Sequence, residues 1–83
     1  MKLLLVEDDE DLAEWLTQSL VGRGFQVDWT EDGRGAEASI AADSYDLILL
    51  DLDLPDMHGM EVLRHLRLAR VDTPILILTG SDD

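Results

Sequence analysis

Acidic side chains follow two apolar runs, where carboxylates from separate strands can act together. Glu7 and Asp8 follow the aliphatic run at residues 3–6, and Asp51 follows the run at residues 47–50. A carboxylate at the end of a buried strand is unfavourable unless it has a partner. If the two strands are neighbours, the three carboxylates repel each other, and this repulsion favours the protonated form of one of them. Since no basic residue adjoins them in sequence, we expect a bound cation.

The ligand type predicts which cation this is. Carboxylate oxygens favour a hard ion, and a site with few protein ligands and several waters favours Mg²⁺ over Ca²⁺. The neighbouring acids Asp9, Glu10 and Asp11 have an ordinary alternative explanation, because acids cap helices and suit the positive end of the helix dipole. We interpret these three as helix-start residues.

Strands must position the carboxylates, and the hydropathy pattern predicts four of them. Phe25, Val27 and Trp29 alternate with polar residues, which is typical of a half-exposed edge strand. Continuous aliphatic runs without alternation predict fully buried strands. The predicted strands are residues 2–6, 25–30, 46–51 and 75–79.

Three helices are predicted between these strands. Leu12, Leu16 and Leu20 recur every four residues, and Gly22 and Gly24 close the helix that carries them. A weaker helix is expected at about 34–42, with Ala36 and Ile40 inward, and a third at about 60–70. The inward residues of the third are predicted to be Val62, Leu63, Leu66 and Ala69.

This strict alternation, βαβαβαβ over residues 1–83, predicts one α/β domain with a parallel sheet covered on both faces. In such sheets ligands bind outside the carboxyl ends of the strands, where the winding direction switches. The three acids and Thr79 all stand at predicted carboxyl ends.

Composition excludes several classes of function. The formal net charge of −13 disfavours direct binding to nucleic acid or to anionic membranes. The sequence has no cysteine, and its apolar runs are too short for a signal peptide or a membrane span. We therefore expect a cytoplasmic protein.

Several motifs together resemble the receiver domain of two-component response regulators, and the resemblance covers all 83 residues. Asp51 is followed by Pro55 four residues later and by Gly59 eight residues later. The segments that carry the resemblance are Leu3-Leu4-Leu5-Val6-Glu7-Asp8-Asp9, Asp46-Leu47-Ile48-Leu49-Leu50-Asp51-Leu52-Asp53-Leu54-Pro55 and Pro74-Ile75-Leu76-Ile77-Leu78-Thr79-Gly80.

The resemblance implies a flavodoxin-like fold whose full strand order is 2-1-3-4-5. It also implies a phosphoacceptor rather than an enzyme, with Asp51 taking a phosphoryl group from a histidine kinase and control of transcription in the full-length protein. Mg²⁺ would be held by Glu7, Asp8, Asp51 and the backbone carbonyl of Asp53. Thr79 would bind the phosphoryl oxygens, Asp53 and Ser81 would flank the site, and Pro55 and Gly59 would shape the loop.

The sequence also departs from the family pattern. The predicted elements end with a fourth strand, so we expect a receiver fragment with order 2-1-3-4 that lacks the family's last strand and helices. We also expect it to lack the family lysine of the fifth strand, and Lys2 stands at the wrong end of the first strand to replace that lysine. The edge at Ile75–Leu78 would then be open, which favours self-association.

Two other functions remain open at this point. Asp51-x-Asp53 after an apolar strand also resembles the nucleophile motif of haloacid-dehalogenase-type phosphohydrolases. Alternatively, the chain is a non-switching fragment that associates through its fourth strand. Gly33-x-Gly35-x-x-Ala38 imitates a dinucleotide-binding fingerprint but follows an edge strand, and His58 and His65 have no partner at metal-ligand spacing.

Overall fold

The computed structural model describes residues 1–78, and within them strands and helices alternate as predicted. The predicted positions of Thr79 and Ser81 lie outside the described residues. The elements are β1 (Lys2–Val6), α1 (Glu10–Gly22), β2 (Gln26–Thr30), α2 (Gly33–Ala42), β3 (Leu47–Asp51), α3 (Gly59–Leu68) and β4 (Ile75–Leu78).

The strands form one parallel sheet in the order β2-β1-β3-β4, which confirms the predicted order. β1 and β3 are hydrogen-bonded neighbours, with Val6 paired to Leu50. One residue further along each strand, Glu7 and Asp51 come side by side. The winding direction changes between these two strands, so their carboxyl ends border the crevice where such sheets bind ligands.

Buried side chains on both faces of β1 and β3 fix the position of these strand ends. One face packs against α2 and α3, and the other packs against α1. A fully buried aliphatic side chain contributes about 1.5–3 kcal/mol through removal of its surface from water. The first face contributes Leu4, Val6, Ile48 and Leu50, packed with Ala36, Val62 and Leu66, and the second contributes Leu5 and Leu49, packed with Ala13.

Both ends of α1 are bounded by residues of the predicted type. Asp9 caps α1 by accepting a hydrogen bond from the Leu12 amide, with Glu10 and Asp11 in the first turn. At the other end, Gly24 adopts a φ of 95°, a left-handed conformation that glycine takes without steric cost. The predicted roles of Asp9 and Gly24 in bounding the helix are confirmed.

Two details of the predicted packing are wrong. Ala69 is exposed, because α3 ends at Leu68 and Ala69 is its C-cap. β4 is not fully buried: Leu76 is 56% exposed and Ile77 is 38% exposed. These neighbours point to opposite faces of the sheet, and β4 is its edge strand within residues 1–78, so neither face is fully covered there.

No helix within the described range has the length and apolar character needed to span a membrane.

Candidate functional site

Three carboxylates converge at the carboxyl ends of β1 and β3. One oxygen from each of Glu7, Asp8 and Asp51 lies within 4.8 Å of the others. Glu7 and Asp51 are only 4% and 5% exposed, whereas Asp8 is exposed. We refer to these three residues as the acidic site.

Backbone and side-chain hydrogen bonds hold Glu7 in place just beyond β1. Its amide donates to the Thr30 carbonyl at 3.1 Å, which extends the pairing with β2 by one residue. The Glu7 carbonyl accepts from the indole Nε1 of Trp29 at 2.7 Å, and its carboxylate accepts from the Asp9 amide at 3.1 Å. The half-exposed Trp29 is therefore linked directly to the acidic site.

Burial dominates the electrostatics of the acidic site. Desolvation raises the pKa of both the Glu7 and the Asp51 carboxyl groups, and the charge of Asp8 raises both pKa values further. Hydrogen bonds oppose this: the Asp9 amide lowers the pKa of Glu7, and the Asp53 amide lowers that of Asp51. The net direction is upward for both, because burial is the largest cause.

Within residues 1–78, no ion pair connects a basic side chain to the acidic site. The site is thus a set of three carboxylate ligands, two of them buried, whose excess negative charge a cation would compensate. This donor set fits a hard divalent ion such as Mg²⁺, which takes few protein carboxylates and keeps several waters.

The β3–α3 loop (residues 52–58) lies directly beside the acidic site. Its base is closed by a hydrogen bond from the Gly59 amide to the Leu52 carbonyl at 2.8 Å and by a bridge between Asp53 and His58. Gly59 is buried, and a Cβ added there would lie 2.5 Å from the Asp51 carbonyl oxygen. Only glycine permits this close approach. Pro55 is exposed in the same loop.

Two contacts of this loop are not predicted by the sequence. The Asp56 carboxylate accepts hydrogen bonds from the amides of Gly33 and Arg34, and His58 Nδ1 accepts from the Met60 amide as the N-cap of α3. A cap within three residues of a helix start leaves a sequence signal. Asp56 caps a helix 22 residues earlier in the chain, so no local pattern could reveal it.

The glycine motif at the start of α2 does not fit an anion site. The Asp32 carboxylate accepts a hydrogen bond from the Gly35 amide at 2.7 Å, and the Asp56 carboxylate accepts from the two preceding amides, those of Gly33 and Arg34. These are the donors that would otherwise bind a pyrophosphate.

His58 and His65 are exposed; His65 contacts Glu37 of α2 at 2.6 Å. The described structure groups neither histidine with other candidate metal ligands.

The fold and the site together define a class of protein: a parallel α/β domain with a carboxylate cluster where such sheets bind their ligands, at the switch in strand order. The chain belongs to the response regulator receiver domain family, whose sequence model matches residues 3–83. This membership favours the receiver interpretation over the phosphohydrolase one.

Two of the proteins to which the chain is similar are transcriptional regulators. The chain is 49% identical to the cell cycle transcriptional regulator CtrA of Caulobacter vibrioides, over 100% of the chain and 36% of the relative. It is 43% identical to the transcriptional regulatory protein QseB of Haemophilus influenzae, over 99% of the chain and 37% of the relative. The chain thus spans about a third of the length of these relatives.

Solved receiver structures agree closely with this fold. The receiver domain of the Francisella response regulator 1452 superimposes with a TM-score of 0.93 at 29% identity, covering 99% of this chain and 68% of that one. The response regulator TrrA of Thermotoga maritima, solved in complex with Mg²⁺-BeF, gives a TM-score of 0.88 at 32% identity, covering 94% and 68%.

Proposed function

We propose that this receiver domain accepts a phosphoryl group on Asp51 from a phosphohistidine of a sensor histidine kinase. The observation that carries the proposal is the acidic site itself, in which Asp51 ends a central strand with its carboxylate beside Glu7 and Asp8. Phosphorylation of an aspartate with Mg²⁺ is standard for the family to which the chain belongs.

Asp51 is the best nucleophile of the three carboxylates for a structural reason. Glu7 accepts a hydrogen bond from the Asp9 amide, and Asp8 is exposed on a bend, whereas Asp51 is fixed at the end of β3, where the Asp53 amide and the Glu7 side chain hydrogen-bond its carboxyl group. In the transfer, an Asp51 oxygen forms a bond to phosphorus as the donor's P–N bond breaks, and the electron pair returns to the imidazole. Such transfer needs positioning and charge neutralisation more than covalent assistance.

Glu7, Asp8, Asp51 and the backbone carbonyl of Asp53 are the groups that would hold Mg²⁺. When bound, the ion would neutralise charge on the phosphoryl oxygens and on the carboxylates. Burial, followed by the neighbouring carboxylate charges, raises the pKa values of Glu7 and Asp51, and a bound cation would offset both effects.

The remaining predicted roles are also part of the proposal. Thr79 would bind phosphoryl oxygens, and the side chains of Asp53 and Ser81 would regulate the access of hydrolytic water. Gly59 and Pro55 would shape the loop, and the close approach of Gly59 to the Asp51 carbonyl supports the first of these assignments.

For the whole protein, we propose a cytoplasmic transcriptional regulator in which this domain is the phosphorylated switch and not a turnover enzyme. The support is its similarity to transcriptional regulators that are about three times as long. The net charge of −13 argues against DNA contact by this domain, so DNA binding would belong to another part of the protein.

The decisive test is incubation with Mg²⁺ and a small phosphodonor, followed by intact mass. We expect one phosphoryl group on the wild type, none on Asp51→Asn, and an unchanged yield for Asp72→Asn, a matched exposed acid that precedes the amino end of β4. Phosphorylation of Asp51→Asn to the wild-type extent would refute the assignment. Steady turnover of a generic phosphomonoester would instead favour a phosphohydrolase.

Self-association through β4 (Ile75–Leu78) is a second proposal, supported by the exposure of Leu76 and Ile77 at the sheet edge. Sedimentation should detect a dimer at high micromolar concentration that Ile77→Lys abolishes. A monomer throughout this range would contradict it, and the charge of −13 acts in that direction.

A further inference from the structure

Asp56 connects the β3–α3 loop to a helix that is distant in sequence. Its Oδ1 accepts a hydrogen bond from the Gly33 amide at 2.8 Å, and its Oδ2 accepts from the Arg34 amide at 2.9 Å. First-turn amides have no partner inside their own helix, so the carboxylate satisfies two of them at once. These amides, Gly33 first, hold the pKa of Asp56 below its usual range.

A second contact docks the same loop on α2. A Cβ added at Gly33 would lie 2.5 Å from Cγ of Met57, so the methionine side chain packs directly on the glycine. The loop is thus fixed at its base, between Leu52 and Gly59, and at its tip, by Asp56 and Met57. Between these two anchors lies Asp53.

The backbone of Asp53 is the part of the loop that faces the acidic site, since its amide donates to the Asp51 carboxylate. We propose that Asp56 is a positioning residue for the acidic site: its carboxylate on the first turn of α2 holds the β3–α3 loop so that the Asp53 backbone stays aligned with Asp51 and the cation. The inference rests on the proposed function, because the cation is part of it.

A purely structural role for Asp56 predicts something different. As a helix cap alone, Asp56 would stabilise α2, and its loss would lower the stability of the protein without changing how the folded protein binds Mg²⁺. As a positioning residue, it would change the Mg²⁺ affinity of the folded protein. Groups that orient metal ligands from outside the ligand set typically change metal affinity by 10–100-fold when mutated.

The experiment is a Mg²⁺ titration followed by the fluorescence of Trp29, which donates its indole N–H to Glu7. A Trp15→Phe background leaves Trp29 as the only indole, and Trp15 is exposed on α1. The variants are Asp56→Ala, Asp56→Asn and, as the charge-matched control, Asp72→Asn. Titrations in about 0.1 M and about 1 M KCl separate positioning from long-range charge, because the Debye length falls from about 10 Å to about 3 Å.

We expect Asp56→Ala to weaken Mg²⁺ binding by about tenfold at both salt concentrations. Asp56→Asn should show a smaller loss, since one amide oxygen can still accept one hydrogen bond, and Asp72→Asn should match the wild type. Amide exchange at Gly33 and Arg34 should accelerate in parallel.

Two results would overturn the inference while leaving the proposed function intact: an unchanged Mg²⁺ dissociation constant in both Asp56 variants, or a loss that disappears in 1 M KCl. Absence of any Mg²⁺ response in the wild type would overturn the proposed function and the inference together. If Asp56→Ala fails to fold, Asp56→Asn decides the question.

Discussion

Replacing Asp51 with asparagine should stabilise the protein in the absence of Mg²⁺. Asparagine has the same shape and keeps an oxygen that can accept the Asp53 amide hydrogen bond, so the substitution chiefly removes a buried charge. The oxygens of Glu7 and Asp51 lie within 4.8 Å. At that separation two unit charges repel by ~3.5 kcal/mol at an effective dielectric constant of about 20, and by ~0.9 kcal/mol in bulk water.

Both carboxyl groups are buried but lie close to the exposed Asp8, so we take a repulsion energy between these two limits. We expect Asp51→Asn to raise the free energy of unfolding by about 2 kcal/mol at pH 8 in the presence of a chelator. With m on the order of 1 kcal/mol/M in urea, the midpoint should rise by about 2 M.

The assay is urea unfolding monitored by circular dichroism, with and without Mg²⁺. Mg²⁺ at ten times its dissociation constant should stabilise the wild type by about 1.4 kcal/mol through mass action and should leave Asp51→Asn almost unaffected. Asp72→Asn provides the control for a change of surface charge. A lower midpoint for Asp51→Asn in chelator, or a retained Mg²⁺ effect, would refute the argument from repulsion between buried carboxylates.

Three further predictions concern the same strands and helices. First, the raised pKa values of Glu7 and Asp51 mean that the metal-free folded state binds more protons than the unfolded state at pH values above the ordinary carboxyl range. The stabilisation that proton binding gives the folded wild type is therefore lost as pH rises through the folded-state pKa values. Conversely, as pH falls toward 4 the wild type regains it, so the difference in urea midpoint between Asp51→Asn and the wild type in chelator should shrink. Urea titrations at several pH values would measure this. Second, Gly59→Ala should cost about 2 kcal/mol and weaken Mg²⁺ binding, because its Cβ would collide with the Asp51 carbonyl; unchanged unfolding and titration curves would contradict the contact. Third, thermal melts should separate two glycines of one helix end: Gly24→Ala should destabilise by about 1 kcal/mol because of its positive φ, whereas Gly22→Ala, with open space around it, should stabilise by a similar amount. Equal effects of the two substitutions would contradict the conformational argument.

The sequence alone determined the alternation of elements and the identity of the acidic residues. Aliphatic runs such as residues 47–50 have no polar face, which is typical of central strands in a sheet covered on both sides. Parallel connections then place the carboxyl ends of all strands at one end of the sheet, which is why the sequence predicts that Glu7, Asp8 and Asp51 lie together.

Only the tertiary structure decided how that site is supported and where burial fails. The hydrogen bonds of Asp56 to α2 and of the Trp29 indole to Glu7 join residues 22 or 23 positions apart, a separation at which helical and strand periodicity carry no information. The exposure of Leu76 and Ile77 likewise depends on which strand is at the edge and not on the hydrophobicity of the run. Local patterns determine which element each segment forms, whereas contacts between distant segments determine how the carboxylates at its end are held together.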